Sequence, residues 1–150
     1  MIKENITLTG RVELILTGPD SRVKERKIID NLVVTTGKEF VAGRIAGTSV
    51  GVMTHIEVGT SSNPPTVNNT SLNSGIIGSR TPMIISGGTP SGPSVLFSAL
   101  FGPTVGTGNI VEAGIFNAST GGTMLCRTVF SEVTKGPLDS LTINWTVTVN

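Results

Sequence analysis

Strict alternation of apolar and polar residues is the chain's strongest signal, and it is cleanest near the end. Leu141, Ile143, Trp145, Val147 and Val149 interleave with Thr142, Asn144, Thr146 and Thr148, the period of two expected of a strand with one face buried and one wet. Two further strands are predicted upstream, Ile110 to Phe116 and Met124 to Phe130. The link Asn117-Ala118-Ser119-Thr120-Gly121-Gly122 supplies glycines for the positive φ of a hairpin turn and short polar side chains that bond their own backbone. Taken in order, the three strands predict a β-meander.

The start of the chain carries a second pattern. Ile6, Leu8, Val12, Leu14 and Leu16 share one parity, with Gly10 at a position suited to a bend or bulge. Gly18-Pro19-Asp20-Ser21 is a turn, and Val23 to Val34 resumes as a second arm, charged from Lys24 to Lys27 and apolar from Ile28. The two arms predict a hairpin whose charged tip projects or touches another subunit. Thr35 to Gly47 predicts the one helix, with Thr36 and Glu39 spaced as a capping box and Gly47 as its stop. Val52 to Val58 reads as a strand. Thr60 to Ser79 is a long Ser/Asn/Pro/Gly stretch, expected to be functional or draped over a neighbour and to contribute nothing to the core. Arg80 to Ser86, interrupted by Pro82, suits an edge strand, and Gly87 to Pro93 a loop. In Ser94 to Phe101, Val95, Phe97, Ala99 and Phe101 line one side and Leu96 and Leu100 the other, which predicts cover on both faces. The sum is a mainly β fold, a β-sandwich of jelly-roll or Greek-key type with one short helix and long Gly-rich loops, in a single domain spanning 1–150.

Composition narrows the function classes. The net charge is +1 and only 14% of residues are charged, so the chain carries no field suited to nucleic acid or an acidic membrane surface. With 19 glycines among 150 residues and a mean hydropathy of +0.23, so little charge favours assembly. The single cysteine, Cys126, excludes an internal disulfide and a cysteine-based zinc site within one chain. Met1-Ile2-Lys3-Glu4-Asn5 is polar where a secretory leader would turn apolar, and no apolar run approaches the roughly 20 residues of a membrane span. Synthesis in the cytosol is expected.

Catalytic machinery is sparse in this sequence. His55, the only histidine, lies between Thr54 and Ile56 with no nucleophile or carboxylate at a telling spacing, and reads as a rim histidine. Cys126 reads as a small buried hydrophobe. An enzyme would need His55, Glu112 and Cys126 gathered in one cleft. Glu112 shares parity with Ile110, Gly114 and Phe116, so its carboxylate is expected to face the core and to need a partner, either Arg127 on the adjoining strand or Arg80. Asp139 reads as a turn residue. Gly102 to Gly108 has the glycines of a phosphate loop without its lysine or helix. No tyrosine and one tryptophan leave little aromatic surface for stacking on sugars or bases. No catalytic residue, cofactor or metal is expected.

Three blocks together resemble a family of small β-rich virion proteins of tailed bacteriophages. They are Asn31-Leu32-Val33-Val34-Thr35-Thr36-Gly37-Lys38, His55-Ile56-Glu57-Val58-Gly59-Thr60, and Ile110-Val111-Glu112-Ala113-Gly114-Ile115-Phe116-Asn117 with Gly121-Gly122-Thr123-Met124-Leu125-Cys126-Arg127. The run from Lys135 to Trp145 is similar to the family's end. Leu72-Asn73-Ser74-Gly75 departs from the family's Leu-x-x-Glu, so no pairing role carries over there. The resemblance implies a structural protein on the outer capsid surface, a decoration or cement protein, with a tail, neck or fibre-base component as the alternative. It implies the major capsid protein and copies of itself, as a homotrimer, as partners. The expected contact elements are an arm from Met1 to Gly10 carrying Ile2, Ile6 and Leu8, the hairpin tip with Arg22, Lys24 and Arg26, and the loop from Thr60 to Ser79. Removing Met1 to Leu8 is expected to abolish particle binding and leave the fold intact.

Overall fold

A computed structural model describes residues 2–49 and 51–150. Its strands are β1 (Leu8–Thr17), β2 (Val23–Val33), β3 (His55–Gly59), β4 (Thr81–Pro82), β5 (Thr89–Ser91), β6 (Ser94–Phe101), β7 (Gly108–Phe116), β8 (Met124–Lys135) and β9 (Ser140–Val149), with one helix, α1 (Thr35–Ala46). They join in a nine-stranded sheet of order β4-β3-β7-β8-β2-β1-β9-β6-β5, and every pairing is antiparallel. The mainly β class with one helix is borne out. The finer expectation of a sandwich is not, because the strands are hydrogen-bonded in one continuous sheet that curls into a half-barrel.

The curl has a local cause. β2 pairs with β1 along nearly its whole length but with β8 only at Leu32 and Val33. Beyond that joint β2 and β8 separate, and Lys27 reaches across to the carbonyls of Ser131 and Glu132. The two halves of the sheet can therefore turn their apolar faces toward each other. Val12, Leu14, Phe97, Ile143 and Trp145 from one half meet Ile56, Val58, Ile110, Ala113 and Ile115 from the other. Across the open side, Ile84 N donates to Ser98 O of β6 at 2.9 Å.

Long-range pairing overrides the expected meander. β7 and β8 form the predicted hairpin, but β9 lies between β1 and β6, remote from β8. Gly10 introduces no bulge, since β1 keeps register with β9 through it and with β2 from it onward. The glycine is needed because a Cβ there would overlap the Asn31 side chain, whose Oδ1 accepts from Trp145 Nε1 at 2.7 Å. Trp145 is fully buried.

α1 ends at Gly47, in the left-handed conformation with φ 73°, as predicted, but its start is not a capping box. The N-cap is Val34 with no side-chain cap, and the Thr36 hydroxyl donates to Met124 O at 3.0 Å instead. The helix approaches β8 so closely that a Cβ on Gly37 would strike Leu125 O. Leu96 and Leu100 are 40% and 51% exposed, so the outer face of β6 is uncovered. Within Gly87 to Pro93, Thr89–Ser91 forms β5 instead of loop, while the edge strand expected over Arg80 to Ser86 forms only at Thr81–Pro82. No helix among the described residues is long and apolar enough to cross a membrane.

The arm is shorter than expected. Leu8 already pairs with Val149 and packs against the core, and Thr7 exchanges two backbone hydrogen bonds with Asn150. Residues 2–6 extend from that anchor, Ile2 and Ile6 being exposed, and Met1 lies outside the described residues. A truncation that spares β1 must therefore stop before Thr7.

Candidate functional site

The most elaborate polar cluster is built around Glu112. A register shift between Ile110 and Glu112 changes the parity of β7, so Ala113 and Ile115 take over the core face from Ile110. Glu112 then shares the opposite face with Gly114 and Phe116. This corrects the expectation of a core-facing carboxylate: Glu112 lies on the far side of the sheet, where Leu72 packs with Val34, Phe116 and Met124 in a second apolar cluster.

That face is closed by the loop from Thr60 to Ser79. Gly59 and Gly75 bridge its ends, and a Cβ on Gly59 would come within 2.5 Å of Ser74 O. Glu112 accepts backbone N–H bonds from Ser74 at 2.7 Å, Asn73 at 3.2 Å and Ser61 at 3.3 Å. Arg127 donates to Glu112 Oε2 through Nε at 2.9 Å and Nη2 at 2.7 Å. Its remaining donors reach Asn63 O at 3.0 Å and Asn69 Oδ1 at 3.2 Å. Both side chains are fully buried. The loop was expected to stay out of the core, yet Leu72 and Ser79 are buried, and the neighbour it drapes over is its own sheet.

Such a buried pair avoids its desolvation penalty only if the remaining lone pairs and protons find partners. Here the loop backbone provides them, so the ion pair clasps the loop to β7 and β8.

Arg80 does not partner Glu112. It pairs with Glu57, lies over the Phe116 ring at 3.6 Å, and donates to Ala118 O at 2.9 Å and Gly121 O at 3.1 Å. This second arginine ties the turn between β7 and β8 to β3. His55 shares its Nδ1 with Thr54 Oγ1 at 2.7 Å, and burial, helped by the Arg80 charge, lowers its pKa below 6.5. His55 pairs with Phe116 and Gly59 with Glu112, so His55 and Glu112 sit about 13 Å apart along the strand. Cys126 belongs to the main core, where burial pushes its thiol pKa well above 9.0. The three residues do not share a cleft. Among the described residues, no group of three or more His, Cys, Asp or Glu could hold a metal ion.

The hairpin tip divides into held and exposed charges. Lys24 bonds Asp139 at 2.9 Å, and Asp139 also accepts from Gly136 N at 2.8 Å. Those two contacts, the lysine first, hold the Asp139 carboxyl below 3.8, so this residue joins the tip to the turn before β9 and is more than a turn former. Arg26 pairs with Glu13, whose carboxyl the Arg26 and Asn144 bonds lower below 4.5. Arg22 lies 3.8 Å from Asp20 with its side chain 88% exposed, the most open of the tip's paired cations.

Sequence reasoning missed Asn63, Asn69, Asn73 and Ser74 as partners of the ion pair. The framing glycines at 59 and 75 were the signal available for them. It also missed an apolar cavity of about 260 Å³ beneath α1, lined by Phe40, Val41, Val52, Val95 and Val147 among others. No family model, curated protein or solved structure matches the chain.

Proposed function

We propose that this protein is a structural component of a tailed-phage virion, a capsid decoration protein that binds over junctions of major capsid subunits. One observation carries the reading. Three of the stretches that resemble the virion family are dispersed through the sequence but fall on β3, β7, β8, the end of β2 and the start of α1, and those four strands are consecutive neighbours in the sheet, while the closing run from Lys135 to Trp145 leads into β9 in the other half. They include both Glu112 and Arg127, so the resemblance coincides with the unit that clasps the long loop. A loop held this way costs little further ordering when it meets a partner.

The role is mechanical under this proposal. Arg22 and the exposed hairpin tip touch capsid subunits, and weak contacts repeated across a shell add through avidity. Adding purified protein to particles stripped of it tests the idea. Wild type should rebind to a saturating level, and Arg22→Glu should rebind at least about tenfold more weakly if the tip makes one charged contact. No rebinding by wild type would sink the capsid reading. Saturation at a handful of copies would move the protein to the tail, neck or fibre base.

A further inference from the structure

The cavity under α1 and the arm before β1 are complementary in polarity and charge. The cavity, about 260 Å³, opens at the end of the half-barrel where β1 begins, and Leu8 lines it. Among the described residues its walls are apolar apart from Arg44, whose side chain donates from Nη1 to Ser49 O at 3.3 Å. Among the described residues no carboxylate lies within ion-pair distance of Arg44. The arm offers the complement. In an extended strand Ile2, Glu4 and Ile6 share one face, and Ile2 and Ile6 are 91% and 75% exposed.

We propose that this cavity receives the arm, residues 2–6, of a second copy of the chain, with Ile2 and Ile6 in the apolar trough and Glu4 paired to Arg44. The arm cannot easily serve its own cavity. Thr7 is pinned by its two bonds to Asn150 and continues the line of β1 outward, and the segment from Ile2 to Leu8 has neither glycine nor proline to reverse it. Five extended residues reach roughly 16 Å. Because the arm's root lies beside the cavity, copies that face each other by this end can exchange arms and close a symmetric assembly. The inference stands on this geometry and does not need the virion reading.

The test uses two full-length chains of different tag size, one carrying Ile6→Cys and the other Val52→Cys, mixed under mild oxidation. Cys126 is buried and silent. A covalent heterodimer should form at least about tenfold faster than with an Arg22→Cys chain, whose thiol lies on the exposed tip. Equal rates for the two partners, or a disulfide that forms only within one chain when Ile6→Cys and Val52→Cys are combined, would overturn the proposal. Sedimentation velocity gives the second arm of the test. Wild type should self-associate, Glu4→Arg should weaken association about tenfold, and adding Arg44→Glu should restore it. A wild type that stays monomeric, or a charge reversal that restores nothing, would refute arm exchange.

Discussion

Replacing Arg127 with methionine isolates what the buried ion pair contributes. The substitution keeps much of the apolar stem and removes two bonds to Glu112, one to Asn69 and one to Asn63. Glu112 would remain fully buried, with only the Ser61, Asn73 and Ser74 amides as partners. Breaking a buried pair from one side costs about 3–5 kcal/mol, because it leaves an uncompensated charge. Against a total stability of about 5–15 kcal/mol, that is a large fraction. For a chain of this size it corresponds to a fall in Tm of roughly 6–20 °C. The double variant Glu112→Gln, Arg127→Met no longer strands a charge, and the Gln oxygen can still accept from the loop amides. It should therefore be more stable than Arg127→Met alone, with a coupling of about 0.5–3 kcal/mol. Urea unfolding followed through Trp145, the only tryptophan and fully buried, reads these differences. Hydrogen exchange at the Asn73 and Ser74 amides should accelerate in Arg127→Met well beyond the global change if the loop is released. A loss below about 1 kcal/mol, the scale of an exposed pair, or a double variant less stable than the single, would refute the clasp.

Other consequences are as specific. Gly10→Ala should destabilise by about 1–3 kcal/mol, the range for overpacking, because its methyl displaces Asn31 from Trp145; urea unfolding of the variant checks this. Asp139 has a folded pKa below 3.8, so its contribution is complete above 3.8 and is lost as pH falls through the lower folded value. Asp139→Asn should then flatten the acid side of the stability curve as pH falls below 3.8, and an unchanged curve would contradict the assigned contacts. Cys126, buried and with its thiol pKa raised, should resist a soluble thiol reagent in native protein and react once urea unfolds it; fast native labelling would place it elsewhere.

Local periodicity revealed β9, the two arms of the β1–β2 hairpin, and the helix with its glycine stop, because each strand and the helix is written within a dozen residues. The residue pair Glu112 and Arg127 was also legible from neighbouring strands, but the face it occupies was not. A register shift after Ile110, where the partner steps from Val133 to Val129, reverses parity, and nothing in the local pattern marks it. β9 was legible as a strand while its partners were not, since β1 lies at the other end of the chain and pairing at that distance leaves no local trace. The long loop showed composition without destination: its binding to Glu112 is made through backbone amides, which every sequence has. Thr36 and Glu39 had the spacing of a cap, yet the nearby β8 carbonyl took the threonine hydroxyl.

The proposed virion role is tested most directly by counting copies of this chain in purified phage particles, by quantitative mass spectrometry against the major capsid protein. A decoration protein predicts a large, fixed fraction of the capsid-subunit number, falling when Arg22→Glu replaces the wild type. Absence of the chain from purified particles would contradict the virion reading altogether.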